Sequence, residues 1–263
     1  MFTAYFDRGE DAKSTVLSVG GYIATARQWE AFERDWKQFL ADEKISMFHM
    51  TEYECRHGEF KDWDNDRRRA AIQRAHALIK IRTNCGISTA VILSDYASIL
   101  AECPDVKDKM PSPFALCVNG CLLEVSNWIA KFNRQGQPVA YVLESGDSGM
   151  GEIVKVFEDV AKDERLKSGC GFESIAVANK RVVVPLQAAD INAYESWKQI
   201  ANQVVEAEPS RPVRKSMWSL AGHTNFTRYF DRHVLLELVE KLRAKWSNDA
   251  GPKNAAIAGR SGI

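Results

Sequence analysis

Apolar positions along this chain switch between two periods, and the switches mark its elements. Phe2–Asp7 is short, aromatic and β-prone. Thr15–Ile23 (TVLSVGGYI) is a second strand beyond the polar GEDAKS, so the two predict a hairpin with a wide turn. Gly20 and Gly21 interrupt that strand and mark either a bulge or the close approach of another backbone. Over Thr25–Leu40 the period turns helical, with Trp29, Phe32, Trp36 and Phe39 at spacings of three and four. A polar-aromatic stretch, MFHMTEYECRHGEF, follows. Asn65–Arg82 is a second helix, with Ala71, Ala75, Leu78 and Ile79 on one face, and Asn84–Leu93 is a third strand.

Pro111-Ser112-Pro113 opens a long helix reaching about Asn133, whose wide apolar face predicts a central position. Pro138–Glu144 is nearly continuous in apolar character, as interior parallel strands are. Gly149–Asp163 is a helix, Phe172–Ala178 a fifth strand and Pro185–Gln203 a further helix. Glu206–Gly222 is a Pro/Ser/Arg-rich connector, Asp231–Trp246 an amphipathic helix, and the polar, glycine-rich 247–263 a disordered tail. With the excursion over about residues 25–82 taken as a helical insertion between the second and third strands, the order is RNase H-like. The expected fold is therefore α/β: a mixed five-stranded sheet flanked by helices, three antiparallel strands followed by two parallel ones, with an extra C-terminal helix. Residues 1–246 are expected to form one domain.

Composition narrows the function more than the fold. Of 263 residues, 45% are hydrophobic and 27% charged, which describes a globular chain. The 35 basic residues balance the 35 acidic ones, so attraction to nucleic acid has to come from a local basic patch. No run of about 18 apolar residues predicts a membrane span. The N-terminus lacks a basic n-region and a long apolar core, and the six cysteines are scattered, so a cytoplasmic protein with reduced thiols is expected. Cys117 and Cys121 share a helix face, where core packing is the expected role.

Candidate chemistry lies at the ends of the apolar runs. Asp7 (AYFDRGED) and Glu144 (AYVLESGDSG) close predicted strands, and Asp190 (VPLQAADINAY) sits on a helix among Ala188, Ala189 and Ala193. Carboxylates beside a core are costly unless they bind something, most often a cation. In the expected order the first and fourth strands are parallel neighbours, so Asp7 and Glu144 end side by side and the Asp190 helix crosses that edge. Mg²⁺ or Mn²⁺ held there could serve phosphodiester hydrolysis. Asp147 is the nearest substitute for Glu144. His49, with Glu52 nearby, could orient water or contact a phosphate, and Lys180 and Arg181 could bind phosphate beside the metal. On this reasoning Asp190→Asn should remove activity and spare the fold, because it relieves charge repulsion. Structural alternatives stand beside each role: Asp7 as a turn residue, Glu144 and Asp147 as caps for the helix starting near Gly149, Asp190 as a hydrogen-bonding group, and Arg67–Arg69 as a solvated face. Gly146-Asp147-Ser148-Gly149 copies four letters of a serine-protease motif, but no histidine sits in a companion motif and the chain is rich in helices.

YFDRGED, VGGYI followed by Trp29, FHMTEYE and PLQAADINAY together resemble the domain-of-unknown-function 3800 family, over about residues 2–200. The resemblance implies an RNase H-like fold, with Asp7 matching the family's first acid and Asp190 its last. The chain has Arg8 where that family usually carries Glu, and Glu10 and Asp11 are the nearest acids. Two readings follow: a metal-dependent nuclease, using Asp7, Glu144, Asp190 and His49, or a non-catalytic module that binds nucleic acid or a protein partner.

Overall fold

The computed structural model describes residues 1–10, 15–146, 148–205, 214, 216 and 219–249. Asp11, Asp147, most of the connector and the tail from 250 onward lie outside the described residues. Strands β1 (Phe2–Glu10) and β2 (Val16–Thr25) form the expected antiparallel hairpin. Their register runs without a shift from Phe2 opposite Thr25 to Glu10 opposite Leu17, so the glycines make no bulge. They mark close approach instead: a Cβ on Gly20 would lie 2.6 Å from the Ala193 backbone nitrogen. Pairing with β2 also carries β1 three residues past Asp7, which therefore lies within the strand rather than ending it.

The insertion between β2 and β3 (Cys85–Ile92) is helical, as expected. It holds α1 (Ala26–Glu43), α2 (Met50–Cys55) and α3 (Asn65–Arg82). A reciprocal capping box starts α1: Thr25 Oγ1 accepts from Gln28 N at 3.3 Å and Gln28 Oε1 accepts from Thr25 N at 3.0 Å. Beyond β3 come α4 (Leu93–Glu102), α5 (Pro113–Lys131), β4 (Val139–Glu144), α6 (Met150–Lys162), α7 (Glu164–Cys170), β5 (Phe172–Ala178) and α8 (Pro185–Ile200). One turn of π-helix, Ala201–Val205, extends α8. Strand β6 (Asn225–Phe230) and α9 (Arg232–Asp249) close the described chain.

All strands lie in one mixed sheet, in the order β5-β4-β1-β2-β3-β6. β1 is parallel to β4 and β4 to β5, while β2 is antiparallel to both β1 and β3. The sheet has six strands, not five, because β6 adds to β3 in parallel. In NFTRYF only Phe226 and Phe230 pack against the main core, as suits an edge strand, and that leaves a weak apolar signal. The last helix runs to Asp249, three residues into the segment expected to be disordered.

Two apolar layers sandwich the sheet. One joins Phe2, Phe6, Val19 and Ile87 to α5, α6 and α9. Here the Cys117 and Cys121 thiols donate to the Leu17 and Val19 carbonyls at 3.6 and 3.5 Å, in the packing role expected of them. The other joins Tyr22 to Trp29, Phe32, Trp36 and Phe39 of α1 and to Ala188 and Ile191 of α8. Among the described residues no helix is long and apolar enough to cross a membrane.

Candidate functional site

Helix α8 is buried on nearly every side, so its polar residues must find partners inside the protein. Asn192 Nδ2 donates to the carbonyls of Gly21 at 2.6 Å and Ile87 at 3.2 Å, which fastens the helix to β2 and β3. Ser18 Oγ donates to the Ala193 carbonyl at 2.8 Å. Gly9 and Gly20, lacking side chains, let the Ala193 backbone rest on the hairpin. This seating brings Asp190 down to the sheet beside Asp7.

Parallel pairing of β1 and β4 ends with Phe6 opposite Leu143, so Asp7 and Glu144 follow as neighbours. After β5 the chain turns tightly on Asn179, whose side chain accepts from Arg181 N at 2.8 Å and whose carbonyl accepts from Val182 N and Val183 N. The turn aims Lys180 inward. Its Nζ donates to Asp7 Oδ2 at 2.5 Å and to Asp190 Oδ1 at 2.9 Å, while its backbone N–H donates to Glu144 Oε2 at 2.7 Å. All three acids predicted from the sequence therefore meet on one residue. Asp7, Glu144 and Asp190 are all buried.

The insertion closes the site from the other side. Met50 N donates to Asp190 Oδ2 at 2.6 Å, and Phe48 N donates to Gln187 Oε1 at 3.0 Å. His49, between them, has Nε2 3.8 Å from Asp190 Oδ1, within electrostatic reach but too far for a hydrogen bond. Its Nδ1 lies 3.5 Å from Glu52 Oε1. Gln187 ties these parts together: it also accepts from Trp36 Nε1 at 2.9 Å and donates to the Lys180 carbonyl at 3.0 Å.

An open cavity of about 300 Å³ lies over the acids. Besides Asp7, Glu144, Asp190, His49 and Lys180, it is lined by Arg8, Glu10 and Tyr194, among others. Arg8, where the resembled family carries an acid, pairs with Glu10 at 2.5 Å. Arg181 is exposed and lies outside this lining, so only Lys180 of the expected phosphate-binding pair enters the site. Tyr194 and Trp197 also line it; they follow Asp190 by one and two helical turns, a periodicity that could have identified them. Of the alternative structural roles, the helix cap is tested only in part: α6 has Gly149 as its N-cap residue, and Asp147 lies outside the described residues.

Burial, and then the neighbouring Asp190 carboxylate, push the Asp7 carboxyl up to about 8 against the pull of the Lys180 ammonium, and Glu144 adds to the rise. Burial alone would lower Lys180, but the charges of Asp190 and Asp7 outweigh it and raise it. Two carboxylates thus share one ammonium with Glu144 close by, and Asp7 responds by holding its proton more tightly. Carboxylate oxygens suit hard ions such as Mg²⁺ or Mn²⁺, and two of them are already grouped about one positive centre. As the side chains stand, that centre is an ammonium. Among the described residues no group of three or more His, Cys, Asp or Glu side chains is arranged to hold a metal ion. No family model, curated protein or solved structure matches this chain.

Proposed function

We propose that this cleft is the active site of an RNase H-like, metal-dependent phosphodiesterase acting on nucleic acid. The observation that carries the reading is the meeting of Asp7, Glu144 and Asp190 on one residue, Lys180, from two parallel strands and a helix far apart in the chain: the two aspartates on its ammonium and Glu144 on its backbone N–H. Strand order supports the fold: β3-β2-β1 antiparallel, then β4 and β5 parallel and reached through helices. Strand β6 and helix α9 are additions to that plan.

Asp7 and Asp190 would hold the metal, with Glu144 completing the set. Bound there, Mg²⁺ or Mn²⁺ would supply positive charge to a phosphoryl oxygen and acidify a water molecule. The protein's own groups supply the rest. Met50 N–H fixes the orientation of the Asp190 carboxylate, and Arg8 N–H does the same for Asp7 at 2.8 Å. His49 lines the cavity beside Asp190, where an imidazole can take or give a proton at a leaving oxygen. Lys180 adds a positive charge suited to a phosphate, and the half-buried Tyr194 gives the mouth an aromatic edge.

The test is a panel of single- and double-stranded DNA and RNA incubated with Mg²⁺ or Mn²⁺. Wild type should cut at least one member, and Glu144→Gln should cut none while keeping its far-ultraviolet circular dichroism. If wild type cuts nothing and calorimetry detects no metal binding, the reading gives way to that of a binding module. The ammonium-satisfied Asp7–Asp190 pair is the feature that favours that second reading.

A further inference from the structure

Lys180 Nζ touches both Asp7 and Asp190, the two carboxylates proposed above to hold the metal, so it stands where a metal would have to enter. We propose that Lys180 is a built-in counter-ion which a divalent cation displaces, so that metal entry and release of the lysine side chain are a single exchange. The inference rests on the metal-site reading and adds to it a competitor encoded in the chain.

Three observations support the exchange. First, the lysine is anchored by its backbone independently of its side chain: its N–H is held by Glu144 at 2.7 Å and its carbonyl by Gln187 Nε2 at 3.0 Å. Its side chain can therefore leave the acids without unmaking the turn. Second, it borders an open cavity of about 300 Å³, so the released side chain has room to extend. Third, the acids keep their positions by other bonds, from Arg8 N to Asp7 and from Met50 N to Asp190, so the oxygens stay grouped when the ammonium departs. An ion bound between Asp7 Oδ2 and Asp190 Oδ1 would take the place that Lys180 Nζ now holds, so the ion and the ammonium compete for the same oxygens. Once swung out, the ammonium still borders the same cleft, where a substrate phosphate would meet it.

The exchange is read without any activity assay. Mn²⁺ is titrated calorimetrically into wild type and Lys180→Met, which keeps an unbranched chain out to the ε position and removes the charged Nζ. The variant should bind Mn²⁺ more tightly, on the order of tenfold, because no ammonium has to be expelled. In parallel, wild type is trace-labelled with acetic anhydride and digested for mass spectrometry. Acetylation of Lys180 should rise when Mn²⁺ is added, relative to the other lysines, because a paired ammonium is a poor nucleophile. The labelling needs no variant, so it decides the matter even if Lys180→Met does not fold. Equal Mn²⁺ affinities with unchanged labelling would overturn the exchange and leave the metal site standing. No Mn²⁺ binding by either protein would overturn the metal site, and the exchange with it.

Discussion

Gly20→Ala tests the contact that positions the acids. The added methyl would lie 2.6 Å from Ala193 N, 2.8 Å from Ala193 Cα and 2.9 Å from Asn192 C. All three are backbone atoms of a helix packed on nearly every side, so no side chain can swing away to make room. Either α8 lifts from the sheet or β2 bends. Overpacking of this kind costs about 1–3 kcal/mol, and the lack of any yielding neighbour puts this site near the upper end. Alanine recovers only about 0.4–1 kcal/mol through the unfolded chain. A net loss of about 2 kcal/mol corresponds to roughly 4–8 °C in Tm for a domain of this size. Gly151→Ala is the control, since a methyl there meets nothing within 4 Å inside α6, and it should stabilise slightly. Both variants are to be melted by circular dichroism and unfolded in urea. If Gly20→Ala melts at or above wild type, α8 does not rest on β2 at Ala193, and the route by which Asp190 reaches Asp7 is wrong.

Other outcomes follow from the same contacts. Burial holds the His76 imidazole down to about 4, below the usual histidine range. Its contribution to stability is therefore complete above about 6.5 and lost as pH falls through 4, roughly 3 kcal/mol in all; urea midpoints measured across that window should show the fall, and His76→Asn should flatten it. Gln187→Ala leaves Trp36 Nε1, Phe48 N and the Lys180 carbonyl without their partner and should cost about 2–4 kcal/mol. Gln187→Glu, which keeps the acceptor for the first two, should lose less in the same denaturation assay. Asp190→Asn should lower the Tm of the metal-free protein, reversing the expectation drawn from charge repulsion alone. Asp190 accepts from Met50 N on one oxygen and from Lys180 on the other, and an amide must present a donor to one of them.

Elements with one strong period were legible in the sequence. The α1 face of Trp29, Phe32, Trp36 and Phe39 is buried as its spacing implies, and α3 and β5 span the expected residues. Strand β6 was missed because half its positions face solvent and two phenylalanines carry its whole core contact. Helix α4 was missed because it starts at Leu93 directly after β3, so a single apolar run serves both elements. The three acids were legible because carboxylates beside apolar runs are unusual, and the approach of the FHMTEYE loop to them is seen at Met50 N. Lys180 was assigned to phosphate rather than to the acids. A lysine's reach depends on the turn that aims it, and that turn rests on Asn179 and on Gln187 across the site. The bridging role of Gln187 was not legible, since its partners lie on α1 and on the loop after it, far away in sequence.

The central claim is that Asp7 and Asp190 form a divalent-cation site. Crystals soaked in Mn²⁺ and measured at the manganese absorption edge test it directly. The account predicts an anomalous peak at bonding distance, about 2.1 Å, from one oxygen of each carboxylate, with the Lys180 side chain moved out into the cavity. Crystals that show no anomalous peak there, with Lys180 Nζ still bridging the two carboxylates, would contradict it.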